Sequence, residues 1–358
     1  MNSNPIESLE HRCFFSATSY TQQNLVSDGS SSAAHTDARL VNPWGLAVGP
    51  RGIVVADNGT GVGTVYDANG NNVVGTVKVP GHNGEAGAPT GVVINSDATH
   101  FNVAGKSASA QFIFVTENGT IDAWTGLKTD KTASVVIDNS ASNAVYKGVA
   151  IGNYRHRPFL FAANFMSEKI EVYDSTFAHS HVAGKFVDPN LPAHYSPFNI
   201  QAINNQLYVM YAKHTKGSRD ETSGAATGVV DIFGADGNLV RRFAAGGKLN
   251  APWGAALAPK NFGTFSNDIL IGNFGDGRVS AFDPTTGALK GQLSNASNTP
   301  IKLDGLWGIA FGNGKAGNLT NGLYFGAGIN DEANGLYGRL IADQPDPGTG
   351  GGGLPGYP

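Results

Sequence analysis

One short phrase recurs along the chain and constrains its fold more than any other feature. Aligned on the glycine of PWG, it reads NPWGLAV (Gly45), APTGVVI (Gly91), VYKGVAI (Gly148), SPFNIQA (with Asn199 in the glycine's place), APWGAAL (Gly254) and GLWGIAF (Gly308). The successive spacings are 46, 57, 51, 55 and 54 residues. A period near fifty is the length of a four-stranded propeller blade, so six units predict an all-β, six-bladed β-propeller with four antiparallel strands per blade.

Each unit carries the contents such a blade needs. A second apolar strand follows the phrase: GIVVADN (52–58), FIFVTEN (112–118), FLFAANF (159–165), QLYVMYA (206–212), DILIGNF (268–274) and GLYFGAG (322–328). Alternating strands ending in tight turns come next, as in TVYDANGN (64–71) and VVDIFGADGN (229–238), where Asp and Gly suit antiparallel reversals. Outer strands are expected at NVVGTVKV (72–79), ASVVID (133–138), GKFVD (184–188) and LVRRFAA (239–245). The sixth unit stops one strand short after GLYGRLIAD (335–343), while SYTQQNLVSD (19–28) precedes the first phrase without a unit of its own. Pairing the two closes the ring and removes an open edge. The phrase itself is then the innermost strand, where glycine lets backbones converge near the axis. The domain reading is a disordered export-type segment at 1–18, a propeller at 19–343 and a Pro/Gly-rich tail at 344–358.

Composition agrees and excludes. The chain has 49 glycines and only 15% charged residues, and its net charge of −4 comes without a Lys/Arg run, so a nucleic-acid partner is not expected. No apolar run approaches the roughly 20 residues that span a bilayer. The single cysteine, Cys13, rules out an internal disulfide framework and a multi-cysteine zinc site.

The NPWG start, the ADNGTG step (56–61) and the span from about 19 to 343 resemble an uncharacterised bacterial family of exported six-bladed propellers, akin to NHL-repeat proteins and often carrying PEP-CTERM tails. This chain has no such tail. IESLEHRCFFSA (6–17) resembles the LEPR-XLL segment at the start of many exported bacterial proteins, with His11 where proline is usual. The resemblance implies an exported, extracytoplasmic or cell-surface location.

Propeller sites gather around the channel mouth, on the face where strand two meets strand three. Asparagines recur there at Asn58, Asn118, Asn164 and Asn273, beside Asp57 and Glu117. They read either as turn caps or, for Asp57, Glu117, Asn164 and Asn273, as oxygen ligands for Ca²⁺ or another divalent cation. Trp44, Trp253 and Trp307 match in register on neighbouring blades, with Phe198, Thr90 and Lys147 at the same position elsewhere. They read as an aromatic wall for a ligand, with Phe198, Asn199 and Lys213, or as packing between blades. His179 and His181 fall at the far end of an outer strand from His194, so that trio does not make a metal site. The charged loop 213–228 in blade four reads as a lid over the mouth or as a disordered connection.

Two functions follow. One is a monomeric binding propeller taking a small-molecule, glycan, polymer or protein ligand at the mouth. The other is a metal-assisted hydrolase, lactonase or lyase, whose ionisable candidates are Asp57, Glu117, Lys147, His194, His214 and Asp304. No GxSxG, HExxH, P-loop or CxxC motif is present, so no particular chemistry is indicated.

Overall fold

The computed structural model describes residues 18–126 and 130–343; the export-type segment, apart from Thr18, and the Pro/Gly-rich tail lie outside them. The chain is a six-bladed β-propeller built on four-stranded antiparallel blades. Its innermost strands are Pro43–Val48, Pro89–Ile94, Tyr146–Tyr154, Tyr195–Ile203, Pro252–Leu257 and Leu306–Phe311, each holding one copy of the recurrent phrase. Among the described residues, six apolar clusters fill the six junctions between neighbouring blades and a seventh lies on the axis. No helix among the described residues is long and apolar enough to cross a membrane.

Every innermost strand carries a register irregularity at the same place: Pro43/Leu46, Pro89/Val92, Tyr146/Gly148, Pro197/Asn199, Pro252/Gly254 and Leu306/Ile309. A bulge re-aims side chains locally, and here it acts beside the phrase glycine. That glycine is required by contact. A Cβ on Gly45 would stand 2.5 Å from the Thr90 carbonyl oxygen, and one on Gly308 2.5 Å from the Trp44 carbonyl oxygen. Adjacent inner strands therefore touch backbone to backbone, as the sequence pattern implies. In blade four Asn199 replaces the glycine, and its amide Nδ2 donates to the Trp253 carbonyl at 2.8 Å.

Tyr20–Ser27 pairs antiparallel with Leu336–Ala342, from Tyr20 opposite Ala342 to Ser27 opposite Leu336, so the amino-terminal strand completes blade six as expected. Ser19 Oγ adds a 2.6 Å hydrogen bond to Asp343 Oδ2.

The outer strands differ from expectation in two places. In blade one the 72–79 segment forms a strand only at Val77–Lys78, its start making an isolated bridge from Asn72 to Tyr66. In blade three the segment 184–188 forms no strand, and that sheet holds only Tyr146–Tyr154, Arg157–Asn164 and Lys169–Tyr173. Blade four captures the segment instead. Gly184 N donates to Asp236 O at 2.6 Å and Phe186 N to Gly237 O at 2.9 Å. The Phe186 ring packs 5.4 Å from both Phe161 and Phe233, and Asp188 pairs with Arg242, which also reaches Asp231 at 3.3 Å.

Candidate functional site at the channel mouth

The residue before each phrase position belongs to the interior. Trp44, Thr90, Lys147, Phe198, Trp253 and Trp307 are all at most 3% exposed. Trp44 and Trp307 stack with ring centroids 3.4 Å apart, Trp253 meets both edge-on at 6.1 and 5.9 Å, and Phe198 lies 5.7 Å from Trp307. Trp253 Nε1 donates to the Lys147 carbonyl at 3.1 Å and Trp307 Nε1 to Asn42 Oδ1 at 3.0 Å. The expected aromatic wall is therefore a packed axial plug, because the indole rings pack against one another where six strands converge. Beneath it, among the glycines and Asn199, the axis holds a cavity of only about 10 Å³, about the room of one water.

Lys147 replaces an aromatic in this ring and sets the chemistry above it. Its ammonium lies 5.0 Å from the Trp44 ring and 5.7 Å from the Phe165 ring, within cation–π range. It donates to Glu117 Oε1 at 2.6 Å, and Asp220 Oδ1 stands 3.6 Å away. Asn58 Nδ2 donates to the other Glu117 oxygen at 3.1 Å, and Asn42 Nδ2 donates to Glu332 Oε2 at 2.6 Å.

The 213–228 loop is the lid that the sequence offered as one alternative. Its base is closed by Thr222 N donating to Lys213 O at 2.6 Å and by a bridge between His214 and Glu221. Arg219 then reaches blade two, donating through Nη2 to the Glu117 carbonyl at 2.6 Å, and Gly224 N donates to Asn250 Oδ1 at 2.7 Å. The lid thus brings Asp220 and Glu221 to the mouth. Burial pushes the Glu221 carboxyl up to about 7; Lys147 opposes that shift, while Glu332 and Asp220 add to it. Glu332 is raised as well, chiefly by its own desolvation.

Beside Lys147 a pocket of about 250 Å³ opens between blades five and six, lined by Phe274, Asp304, Asp331 and Glu332 and by Ser223 of the lid. Phe274 is half-buried and stacks on Trp307 at 4.0 Å, so the axial plug supplies the pocket's aromatic wall. Asp304, a sequence candidate, lines it and lies 3.4 Å from exposed Lys302.

The remaining candidates are dispersed. His194 and His214 sit at the lid's base, rings 6.4 Å apart; the His194 carbonyl accepts from His214 N at 2.9 Å, and His214 Nε2 lies 3.4 Å from Glu168. Lys213 is exposed there. Asp57 is fully buried, accepts from Thr64 Oγ1 at 2.8 Å, and is raised well above a normal carboxylate by desolvation. Asn164 accepts from Val145 N and Ser167 N, at 3.3 and 3.2 Å, and Asn273 accepts from Asn250 N at 3.2 Å, which is the capping geometry. Of the four expected cation ligands only Glu117 faces the Lys147 cluster. Among the described residues no three His, Cys, Asp or Glu side chains are grouped to hold a metal ion. His82, Asp138 and Ser140 imitate a hydrolytic triad, but Asp138 Oδ2 and Ser140 Oγ both address His82 Nδ1, at 2.6 and 2.9 Å. A relay needs the two partners on opposite ring nitrogens.

Sequence reasoning missed Phe274, Asp331 and Glu332. The available signal was blade six itself, where GINDEANG (328–335) departs from the strand-end asparagine pattern with an acidic insertion.

Fold and mouth together define a six-bladed propeller with a charged, lidded pocket at one end of a plugged axis. Two Acanthamoeba polyphaga mimivirus proteins match it along most of their length. Uncharacterized protein R648 is 33% identical over 337 residues, covering 91% of this chain and 81% of that protein, and uncharacterized protein L690 is 31% identical over 334 residues, covering 89% and 85%. The chain belongs to their family. These relatives are viral rather than bacterial, and their names carry nothing on export. No described protein-family profile matches the chain. Among solved structures, a streptogramin B lyase superposes with a TM-score of 0.52 at 11% identity, covering 91% of this chain and 98% of the lyase. Virginiamycin B lyase from Staphylococcus aureus gives 0.50 at 10% identity, covering 90% and 99%. At such identities the likeness is one of fold.

Proposed function

We propose that this propeller binds its ligand at the lidded mouth through a cationic group, an ammonium or guanidinium, held by Asp304, Asp331 and Glu332 against Phe274. The observation that carries this reading is the convergence of three carboxylates on an aromatic-walled pocket of about 250 Å³. Carboxylates and an aromatic face both favour a cation. The volume lies below that of drug-sized sites, so the pocket admits one protruding group of a larger ligand. Among the glycan, polymer and protein classes this favours an amino-sugar polymer or a basic protein segment.

Titration with a chitosan oligomer and with its fully N-acetylated counterpart tests it. Binding of the amine form alone, weakened roughly tenfold in Glu332→Gln, is expected; equal binding of both oligomers overturns it. Ca²⁺ serves as the control ion. If Ca²⁺ displaces the amine, these carboxylates are instead the mouth's divalent-cation site.

A second reading, hydrolase or lyase, is favoured by Glu221, a carboxyl near neutrality beside the Lys147 ammonium, as an acid–base catalyst requires. A pH–rate profile that loses its limb near 7 in Glu221→Gln would support it. Export rests on sequence resemblance alone, that of the propeller span and that of residues 6–17, and is tested by fractionation of expressing cells.

A further inference from the structure

The chain carries four Asn-x-Ser/Thr sequences in which x is not proline: Asn58-Gly59-Thr60, Asn118-Gly119-Thr120, Asn295-Ala296-Ser297 and Asn318-Leu319-Thr320. This tripeptide is the acceptor pattern for an N-linked glycan. A glycan compatible with the folded molecule needs a free carboxamide nitrogen and room for a bulky sugar. Three of the four sequences fail that test. Asn58 is half-buried and commits Nδ2 to Glu117 at 3.1 Å, while Thr60 Oγ1 donates to the Arg39 carbonyl at 2.6 Å. Asn118 is half-buried, its Oδ1 accepts from Ala88 N at 2.6 Å, and Thr120 is fully buried with its hydroxyl on Asp122. Asn318 is only 1% exposed.

Asn295 differs in each respect. It lies in the loop between Leu289–Gln292, the outer strand of blade five, and Leu306–Phe311, and residues 295–299 are all exposed. Its Oδ1 accepts from Ser297 N and from Thr299 N, both at 3.0 Å, so the side chain closes an Asx-turn. That geometry folds residue 297 back towards the carboxamide. Neither Asn295 Nδ2 nor Ser297 Oγ forms a hydrogen bond among the described residues. The backbone bonds of the turn, Asn298 N to Asn295 O and Asn295 N to Thr299 O, are both 2.9 Å; all of them are local, so the turn forms without the rest of the blade. Beside it opens a groove of about 850 Å³, lined by Asn295 together with Phe265 and Leu289, which leaves space for a sugar.

We infer that Asn295 is the acceptor of an N-linked glycan, transferred from a lipid-linked oligosaccharyl pyrophosphate. Nδ2 attacks the anomeric carbon of the first sugar. The N–C bond forms as the bond from that carbon to the pyrophosphate oxygen breaks, the lipid pyrophosphate leaves with the electron pair, and Nδ2 gives one proton to a base of the transferase. The site shares no residue with the pocket at the mouth. Such donors are used in a secretory lumen, so occupancy in the native cell rests on the export reading, whereas the acceptor geometry does not.

The test is the intact mass of the full chain secreted from cultured animal cells behind an added signal peptide, measured before and after peptide N-glycosidase F. One enzyme-removable glycan, mapped to Asn295 by peptide mass spectrometry, is expected on the wild type. Asn295→Gln and Ser297→Ala should each remove it completely, and Ser297→Thr should retain it. Thr60→Ala and Thr320→Ala, which disable the sequences at Asn58 and Asn318, should leave the mass shift unchanged. If Asn295→Gln is not secreted, Ser297→Ala decides, because it keeps the bond from the residue 297 backbone to Asn295 Oδ1. An unglycosylated wild type, a glycan that persists in Ser297→Ala, or one lost in Thr60→Ala or Thr320→Ala overturns the inference. Fractionation of cells expressing the chain without the added peptide bears on export alone, which tells failure of that reading from failure of the acceptor site.

Discussion

Lys147 shows how one substitution in a repeated pattern turns packing into chemistry. Its register position is filled by Trp44, Trp253, Trp307 or Phe198 in other blades, and there the side chain completes the plug. With lysine the same bulge delivers an ammonium to the top of the plug. The tryptophans' shared register was legible in the sequence. Their burial was not, because it depends on how far the bulge turns each side chain inwards. Trp253→Ala and Trp307→Ala should each cost about 3–5 kcal/mol, read as a large fall in melting temperature; a loss below about 1 kcal/mol would return these indoles to the ligand-binding surface. Glu221 supplies a pH signature. Its carboxyl rises from 4.5 in the free chain to about 7 in the fold, so folding retains a proton that the unfolded chain releases. The linked stability is fully present below 4.5 and lost as pH rises towards 7. Glu221→Gln should therefore gain melting temperature relative to wild type at pH 8, and the gain should shrink progressively towards pH 4.5. A constant offset across that range would show that Glu221 ionises normally.

At the scale of elements, the innermost strands were legible because glycine at the axis is a contact requirement that every blade but the fourth meets in the same way. The missing strand of blade three was not. GKFVD has the apolar alternation of an outer strand, and its fate is decided by partners more than forty residues later, Asp236, Gly237 and Arg242. Long-range competition of this kind leaves no local mark. The lid had a local mark, its concentration of charge, but its direction came from Arg219 finding the Glu117 carbonyl. The amino-terminal strand carries the clearest element-level prediction. A chain beginning at Asp28 lacks Tyr20–Ser27 and exposes the whole Leu336–Ala342 edge, together with part of the cluster under Leu25 and Val26. It should aggregate or melt without cooperativity. A soluble, cooperatively melting chain of this length would contradict the closure described here.

Across the whole molecule, the closed ring separates stability from function. Six junction clusters and the axial plug hold the blades, and charge is concentrated where the lid crosses the mouth. That division explains why repeat spacing revealed the architecture while the pocket remained hidden: Phe274, Asp304, Asp331 and Glu332 lie at the ends of different elements and come together only when blades five and six are adjacent. The most direct test is a crystal structure of the protein with trilysine bound. One ammonium should lie within about 6 Å of the Phe274 ring and donate to Glu332 or Asp304, with the lid still joined to Glu117 through Arg219. Trilysine ordered elsewhere on the surface, with the Phe274 pocket holding only solvent at saturating ligand, would contradict the assignment.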